Sequence, residues 1–361
     1  VTWPGPIREF AMTSGTTAGN KYIPVSDEGA DCHQQAGRDL LYFYFSQTHN
    51  TGLFGGRFLF LGGSTELKAH GNGVFSGDLS GILARRFPFY TRFVRLPSPR
   101  TAAMSDWEAK LDAIADESWR ADVRGIGGTP SWLVCLFERI FARRRRAGLP
   151  AENLAQVWPN LALYVHGGVN FAAYRETFKT LFGKHVDTLE VYPASEGFIA
   201  VQDVLGSQDM LLLMDNGIFY EFIPAAEAQS KSPARLTVAE VEKDVDYAIL
   251  LTTNSGLWSY MIGDTVRFTS LRPHRLRITG RTHFFLNAFG EHVIVEELER
   301  AMTAASAAHG AAMQDFHVAP IFATGGDMRP AHEWLVEFRQ PPEDLARFRD
   351  KLDRTLQEIN E

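Results

Sequence analysis

Short apolar runs that end in glycine or hydroxyl residues alternate along this chain with longer stretches whose apolar residues recur every three or four positions. The first pattern is that of buried strands entering loops, the second that of amphipathic helices. Phe10-Ala11-Met12 runs into a polar, glycine-containing stretch; Phe58-Leu59-Phe60-Leu61 ends in Gly62-Gly63-Ser64; and residues 161–165 end in His166-Gly167-Gly168. Residues 106–119 carry Leu111, Ile114 and Ala115 on one side, with Ser105 as the expected cap. A helix from Ser131 places Leu133, Leu136, Phe137, Ile140 and Phe141 at helical spacing, and another is expected over residues 174–182. Residues 188–191 then form a strand leading to a turn at Tyr192. Strands alternating with helices imply a largely parallel sheet, which binds ligands at the carboxyl ends of its strands. The loop after Met12, the Gly167-Gly168 turn and the Tyr192 turn are therefore expected on one edge.

Beyond residue 210 the pattern changes. Leu211-Leu212-Leu213, Phe219-Tyr220-Glu221-Phe222 and residues 248–252 lack helical periodicity and read as strands. A helix is expected over residues 295–309, stopped by Gly310, followed by strands at 316–322 and 333–338 joined through Thr324-Gly325-Gly326-Asp327. A final helix runs from Pro342 toward Asn360.

Composition adds limits. The chain has 361 residues, of which 45% are hydrophobic and 22% charged, enough for a large core and, as a soft expectation, two domains. A net charge of −7 argues against a broad nucleic-acid or anionic-membrane surface. The dense basic run Arg143-Arg144-Arg145-Arg146 closes the helix from Ser131, where cations complement the helix dipole, before Gly148 and Pro150. Two cysteines, Cys32 and Cys135, make neither a disulfide framework nor a zinc site, which fits a reducing, cytoplasmic setting. No apolar stretch reaches the ~18–20 residues that span a bilayer, and no signal peptide is visible at the start.

Thr13-Ser14-Gly15-Thr16-Thr17-Ala18-Gly19-Asn20-Lys21 holds the densest candidate chemistry. Hydroxyls, exposed backbone N–H groups and glycines that permit close approach are what a polyphosphate needs around it. The spacing is not that of a Walker A loop, because Tyr22 follows Lys21 where a serine or threonine would hold magnesium. Taken alone, the stretch fits a nucleotide loop and a polar turn between strands equally.

Two further motifs decide between them. Tyr192-Pro193-Ala194-Ser195-Glu196-Gly197 follows the strand at 188–191, and Tyr260-Met261-Ile262-Gly263-Asp264 precedes Thr265-Val266-Arg267-Phe268. In this order the three resemble the motifs of the GH3 family of acyl-acid amido synthetases, a branch of the adenylate-forming superfamily. The resemblance implies an α/β fold with a large N-terminal domain (mainly parallel sheet plus a strand-rich subdomain) over residues 1–281. A small, mobile α+β C-terminal domain would follow over 282–361, the hinge lying at Arg277-Ile278-Thr279-Gly280-Arg281. It also implies ATP and Mg²⁺: a carboxylic acid is activated as its adenylate with release of pyrophosphate, and the acyl group then passes to an amino acid.

The resemblance places Ser14, Gly15, Thr16, Thr17 and Lys21 around the phosphates, with Thr16 and Glu196 catalytic and Glu196 on the metal. Tyr192, Ala194 and Ser195 would meet the adenine and α-phosphate, and His166, Gly167 and Gly168 would form another wall. Tyr260 and Asp264 would serve the ribose, a carboxylate accepting from both hydroxyls as in dinucleotide folds. Arg281 would contact ribose or phosphate, or form a surface ion pair. Ser131, Trp132 and Phe198 would wall the acyl pocket. The residue-level alternatives are a helix-capping carboxylate at Glu196, a satisfied structural histidine at His166 and a turn aspartate at Asp264.

Two readings compete with amide synthesis: transfer of the acyl group to coenzyme A, and a non-catalytic nucleotide or acyl sensor. Gly280-Arg281-Thr282-His283-Phe284 lacks the aspartate of the Gly-Arg-x-x-Asp hinge usual in acyl-CoA synthetases, which favours the amido synthetase. The chain begins without methionine and reaches its phosphate loop almost at once, so a longer parent protein is expected. The family's C-terminal lysine is likewise expected in a segment absent here; Lys351 is not its equivalent. Nothing in the composition indicates a nucleic-acid or membrane partner, and the oligomeric state is open.

Overall fold

The computed structural model describes residues 5–13, 21–168, 171–282, 285–286, 293–321 and 331–359. One twelve-stranded sheet dominates them. Five strands at one end pair in parallel: Asp187–Ala194, Leu163–His166, Val123–Gly128, Arg57–Leu61 and Arg95–Leu96. From Asp187–Ala194 outward the sheet continues antiparallel through Gly197–Val201, Met210–Leu212, His274–Arg281, Tyr260–Leu271, Asp246–Thr253, Ile218–Pro224 and Leu236–Thr237. The strand-rich part expected from residue 211 onward is thus a continuation of the parallel sheet. Helical crossovers supply the parallel half and short turns much of the antiparallel half, as the two pairing modes require.

Strand alternation sends neighbours to opposite faces. Tyr164, Leu59, Leu61 and Ile126 pack under helices Trp107–Ser118 and Pro130–Arg146, against Leu111, Ile114, Leu133 and Phe137. Leu163, Leu189 and Val201 face the other way, onto Ala36, Leu40 and Tyr44 of a 22-residue helix, Asp27–Thr48. The cap of helix Trp107–Ser118 is Asp106, whose Oδ1 accepts from Ala109 N–H at 2.9 Å, and not Ser105. A carboxylate one position later both caps and favours the positive end of the dipole. The arginine run has structural partners: Arg143 pairs with Asp112 and Asp116 on the neighbouring helix, and Arg144 donates to the carbonyls of Pro150 and Gln156.

The phosphate-loop strand does not belong to the large sheet. Glu9–Thr13 and Lys21–Val25 form an antiparallel hairpin within a separate four-stranded sheet, completed by Phe75–Gly77 and Lys68–Ala69. Its tip, including Ser14, Gly15, Thr16 and Thr17, lies outside the described residues.

The C-terminal part comprises helix Val295–Ala308, an antiparallel pair Ala312–Ile321 and Ala331–Gln340, and helix Leu345–Ile359. The last helix begins at Leu345 and not Pro342, because Asp344 Oδ1 accepts from Arg347 N–H at 3.0 Å. Ala301, Met302, Ala305, Phe348 and Leu352 join the same buried core as helix Pro130–Arg146. The expected loop at 324–327 lies outside the described residues.

Candidate active site

Tyr192, Pro193 and Ala194 lie within a strand, and the turn is the two-residue Ser195-Glu196, which reverses the chain into Gly197–Val201 with Ala194 opposite Gly197. The expected turn at Tyr192 therefore sits three residues later. Gly197 is close-packed: a Cβ there would approach Ile218 Cδ1 to 2.6 Å. This tight hairpin carries Glu196 at its tip.

Residues 260–264 open the long strand Tyr260–Leu271, whose Asp264 lies opposite Arg281 in the next strand. Tyr192 Oη donates to Asp264 Oδ2 at 2.6 Å, and Arg281 Nε donates to Asp264 Oδ1 at 2.8 Å. Two consecutive strands and a third far away in sequence thus meet on one carboxylate. The bond from the buried tyrosine to an ionised acceptor is of the kind that contributes about 1.5–3 kcal/mol. The Arg281 side chain is 47% exposed, so its pair is worth less than ~1 kcal/mol. Burial first, then the Asp264 charge and hydrogen bond, hold the Tyr192 phenol far above its ordinary value. Asp264 still has acceptor positions for another donor, since a carboxylate offers about four lone-pair sites.

Glu196 stands beside this cluster. Burial raises its carboxyl above the ordinary range; its own backbone N–H opposes that shift, Asp264 adds to it, and Lys21 and Arg281 pull it back. Lys21, the first residue after the phosphate-loop tip, is thereby placed within electrostatic reach of Glu196. Glu196 also lines a crevice of about 10 Å³, room for roughly one water, together with Cys32, His33, Phe198, Asn254 and Ser255.

His166 ends its parallel strand, buried, with its ring stacked on Phe171 at 4.2 Å between centroids. Its Nδ1 has no hydrogen-bond partner among the described residues. Burial, reinforced by Arg175, lowers it to about 3, so the imidazole is neutral at physiological pH. At Gly167 a Cβ would lie 2.4 Å from Val191 O, so a side chain there would collide with the adjacent strand. Gly168 has φ +84°, a conformation that favours glycine, and lies near Thr129 at the start of helix Pro130–Arg146. Ser131 and Trp132 follow there, Trp132 packing on Trp107 with ring centroids 4.7 Å apart. They do not line the crevice beside Glu196, whereas Phe198 does.

The family model for the GH3 N-terminal domain matches residues 1–74 and 64–187, that for the central domain 211–281, and that for the C-terminal domain 296–361. The chain belongs to the GH3 family. A probable indole-3-acetic acid-amido synthetase GH3.9 of Oryza sativa subsp. japonica is 27% identical over 224 residues, 60% of this chain and 49% of that protein. Indole-3-acetic acid-amido synthetase GH3.2 of Arabidopsis thaliana is 26% identical over 168 residues, 42% of this chain and 30% of that one. The chain thus spans half or less of these curated GH3 relatives. The fold matches the acyl acid amido synthetase AtGH3.15 crystallised with 2,4-DB, with a TM-score of 0.81 at 15% identity, over 99% of this chain and 72% of that chain. It also matches a 2-hydroxyisobutyryl-CoA ligase in its postadenylation state, with a TM-score of 0.61 at 14% identity over 98% and 68% of the two chains. The GH3 and wider adenylate-forming fold is therefore established.

Sequence reading missed the helix Asp27–Thr48, and with it Cys32 and His33 beside Glu196. Its buried positions, Gly29, Ala30, His33, Ala36, Leu40 and Tyr44, have helical spacing but are mostly small or polar, so the apolar stripe is faint. The usable signal was its start, Ser26-Asp27-Glu28, a capping serine with acids in the first turn. His33 is buried, packs edge-on against Phe198 and is lowered to about 4 by desolvation.

Proposed function

We propose that this GH3 protein activates a carboxylic acid with ATP as an acyl-adenylate and passes the acyl group to the amine of an amino acid. The observation that carries this reading is the convergence of Tyr192, Asp264 and Arg281, with Glu196 and Lys21 beside them. Adenylation brings a carboxylate onto the α-phosphate, so the site must neutralise two approaching anions. In this reading Ser14, Gly15, Thr16 and Thr17 donate to the phosphates, and Lys21 receives the departing pyrophosphate. Asp264 accepts from the ribose hydroxyls, Tyr192 fixes that carboxylate from behind, and Arg281 holds its other oxygen. Tyr260, Ala194 and Ser195 line the nucleotide, and neutral His166, whose Nδ1 has no partner among the described residues, edges the adenine pocket with Gly167 and Gly168. Phe198, with Ser131 and Trp132 further along the edge, forms apolar wall for the acid.

Glu196 is the residue that would hold Mg²⁺. Asp264 already accepts from two protein donors, whereas Glu196 is a partly buried carboxylate beside the phosphate hairpin, a donor suited to a hard cation shared with phosphates. Bound there, the metal would offset charge on the reacting phosphates. A C-terminal domain over residues 282–361 would rotate between the two half-reactions.

The test is product analysis. The protein is incubated with ATP, magnesium, a panel of carboxylic acids and either amino acids or coenzyme A. The reading expects an acid–amino acid amide by mass spectrometry; an acyl thioester alone would replace it with the ligase reading.

A further inference from the structure

The turn between strands Asp246–Thr253 and Tyr260–Leu271 connects the phosphate-loop hairpin, helix Asp27–Thr48 and the segment at Gly217. Ser26, which ends the phosphate-loop hairpin and caps helix Asp27–Thr48, is tied to it through both backbone and side chain. Ser26 N–H donates to Ser255 Oγ at 3.2 Å, and Ser26 Oγ donates to Asn254 O at 2.9 Å while accepting from Gly29 N–H at 2.9 Å. With the Ser26 hydroxyl proton committed to Asn254 O, the 3.2 Å contact between the two hydroxyls has Ser255 as its donor. Both serines are 5% exposed, so these groups cannot turn to water instead.

Asn254 extends the connection in two directions. Its Nδ2 donates to Cys32 Sγ at 3.3 Å on the helix, and its backbone N–H donates to Gly217 O at 3.0 Å. Gly217 leads into Ile218, the residue packed on Gly197 behind Glu196, and Asn216 Nδ2 holds Phe198 O at 2.9 Å. Two glycines leave space for this arrangement: a Cβ at Gly29 would lie 2.2 Å from Ser255 Oγ, and one at Gly217 would lie 2.3 Å from Asn254 Nδ2. Directly after the turn come Tyr260 and Asp264.

We propose that the Asn254-Ser255 turn is a positioning element for adenylation, with Ser255 fixing the phosphate-loop hairpin relative to Glu196 and Asp264. It acts through Ser26 and touches no substrate. The hairpin belongs to a small separate sheet, so hydrogen bonds across this junction set its distance from the large sheet. The proposal rests on the ATP-dependent reading above.

The experiment compares Ser255→Ala with Thr101→Val in the full chain. Thr101 is also buried, its hydroxyl donating to Glu117 Oε1 at 2.5 Å, but it sits away from the site in the short helix Pro99–Ala102. Thermal unfolding, ATP affinity by titration calorimetry and the KM for ATP in pyrophosphate exchange are measured for each. Ser255→Ala is expected to weaken ATP binding and raise the KM roughly tenfold, while Thr101→Val loses comparable thermal stability and keeps wild-type ATP constants. Wild-type ATP affinity and KM in Ser255→Ala would overturn the proposal, as would an equal loss in both variants. ATP binding by the wild type without exchange would sink only the catalytic reading, because the affinity comparison still decides the positioning role. No ATP binding by the wild type would overturn both.

Discussion

Asp264 shows how the site is balanced at the residue scale. Tyr192 is buried and cannot exchange its bond to the carboxylate for one to water, whereas Arg281 is half exposed and can. Removing the two partners therefore has unequal consequences. Tyr192→Phe leaves a mostly buried carboxylate oxygen short of a donor and is expected to weaken ATP binding about tenfold, equivalent to roughly 1.4 kcal/mol. Arg281→Ala, losing a partner in a screened pair, should cost under threefold in nucleotide affinity unless the guanidinium meets the ligand itself. Titration calorimetry on the two variants separates a pure ion pair from a ligand contact at Arg281. Glu196 adds a pH dependence. Its carboxyl is raised by burial, so its charged form is lost at a higher pH than for an exposed glutamate as the solution is acidified. Magnesium-dependent ATP binding should therefore weaken on the acid side, and Glu196→Gln should bind ATP without that limb.

At the scale of elements, close approach of backbones matters more than side-chain chemistry. Gly167 lies where the His166 strand passes Val191, and a methyl group 2.4 Å from Val191 O must push two parallel strands apart. Gly167→Ala is expected to destabilise the fold by about 1–3 kcal/mol, read as a lower midpoint in urea unfolding with unchanged slope. The strands around it were legible because both of their faces are buried, which makes them continuous apolar runs. The helix Asp27–Thr48 was not, because of its buried positions only Ala36, Leu40 and Tyr44 meet the sheet face of Leu163, Leu189 and Val201, and the others are glycine, alanine and histidine. The strand read over residues 188–191 was three residues short at its end: it runs on to Ala194, with Pro193 at an exposed strand position just before the Ser195-Glu196 hairpin. Motif spacing indicated candidate site residues, but not that the phosphate-loop strand would leave the main sheet. That choice depends on long-range pairing with Phe75–Gly77, which no local pattern encodes.

At the scale of the whole molecule, the C-terminal part shares a buried apolar core with helix Pro130–Arg146 and also brings a like charge toward the large sheet. Glu190, in the strand beside His166, is raised to about 7, chiefly by burial and then by Glu299 of helix Val295–Ala308, with Arg175 and Arg277 opposing the shift. The sign follows directly. A carboxyl with a folded-state value above its ordinary one binds protons more readily in the folded protein than in the unfolded chain, so stability falls as pH rises from about 4.5 to about 7 and is level beyond. Glu190→Gln should therefore raise the thermal midpoint at pH 8, by an amount on the order of 1–3 kcal/mol in stability, with no gain at pH 4. Equal effects at both pH values would show that the Glu299 charge and the burial of this carboxyl do not govern the linkage.

The central claim is that this assembly makes an acyl-adenylate, and acid-dependent exchange of labelled pyrophosphate into ATP reads that step without knowledge of the acceptor. The full protein is assayed with ATP, magnesium and a panel of carboxylic acids beside Glu196→Ala. The account predicts exchange with at least one acid, reduced on the order of 10²-fold or more in the variant. Tight ATP binding with no exchange for any acid, or exchange indifferent to loss of Glu196, would contradict it.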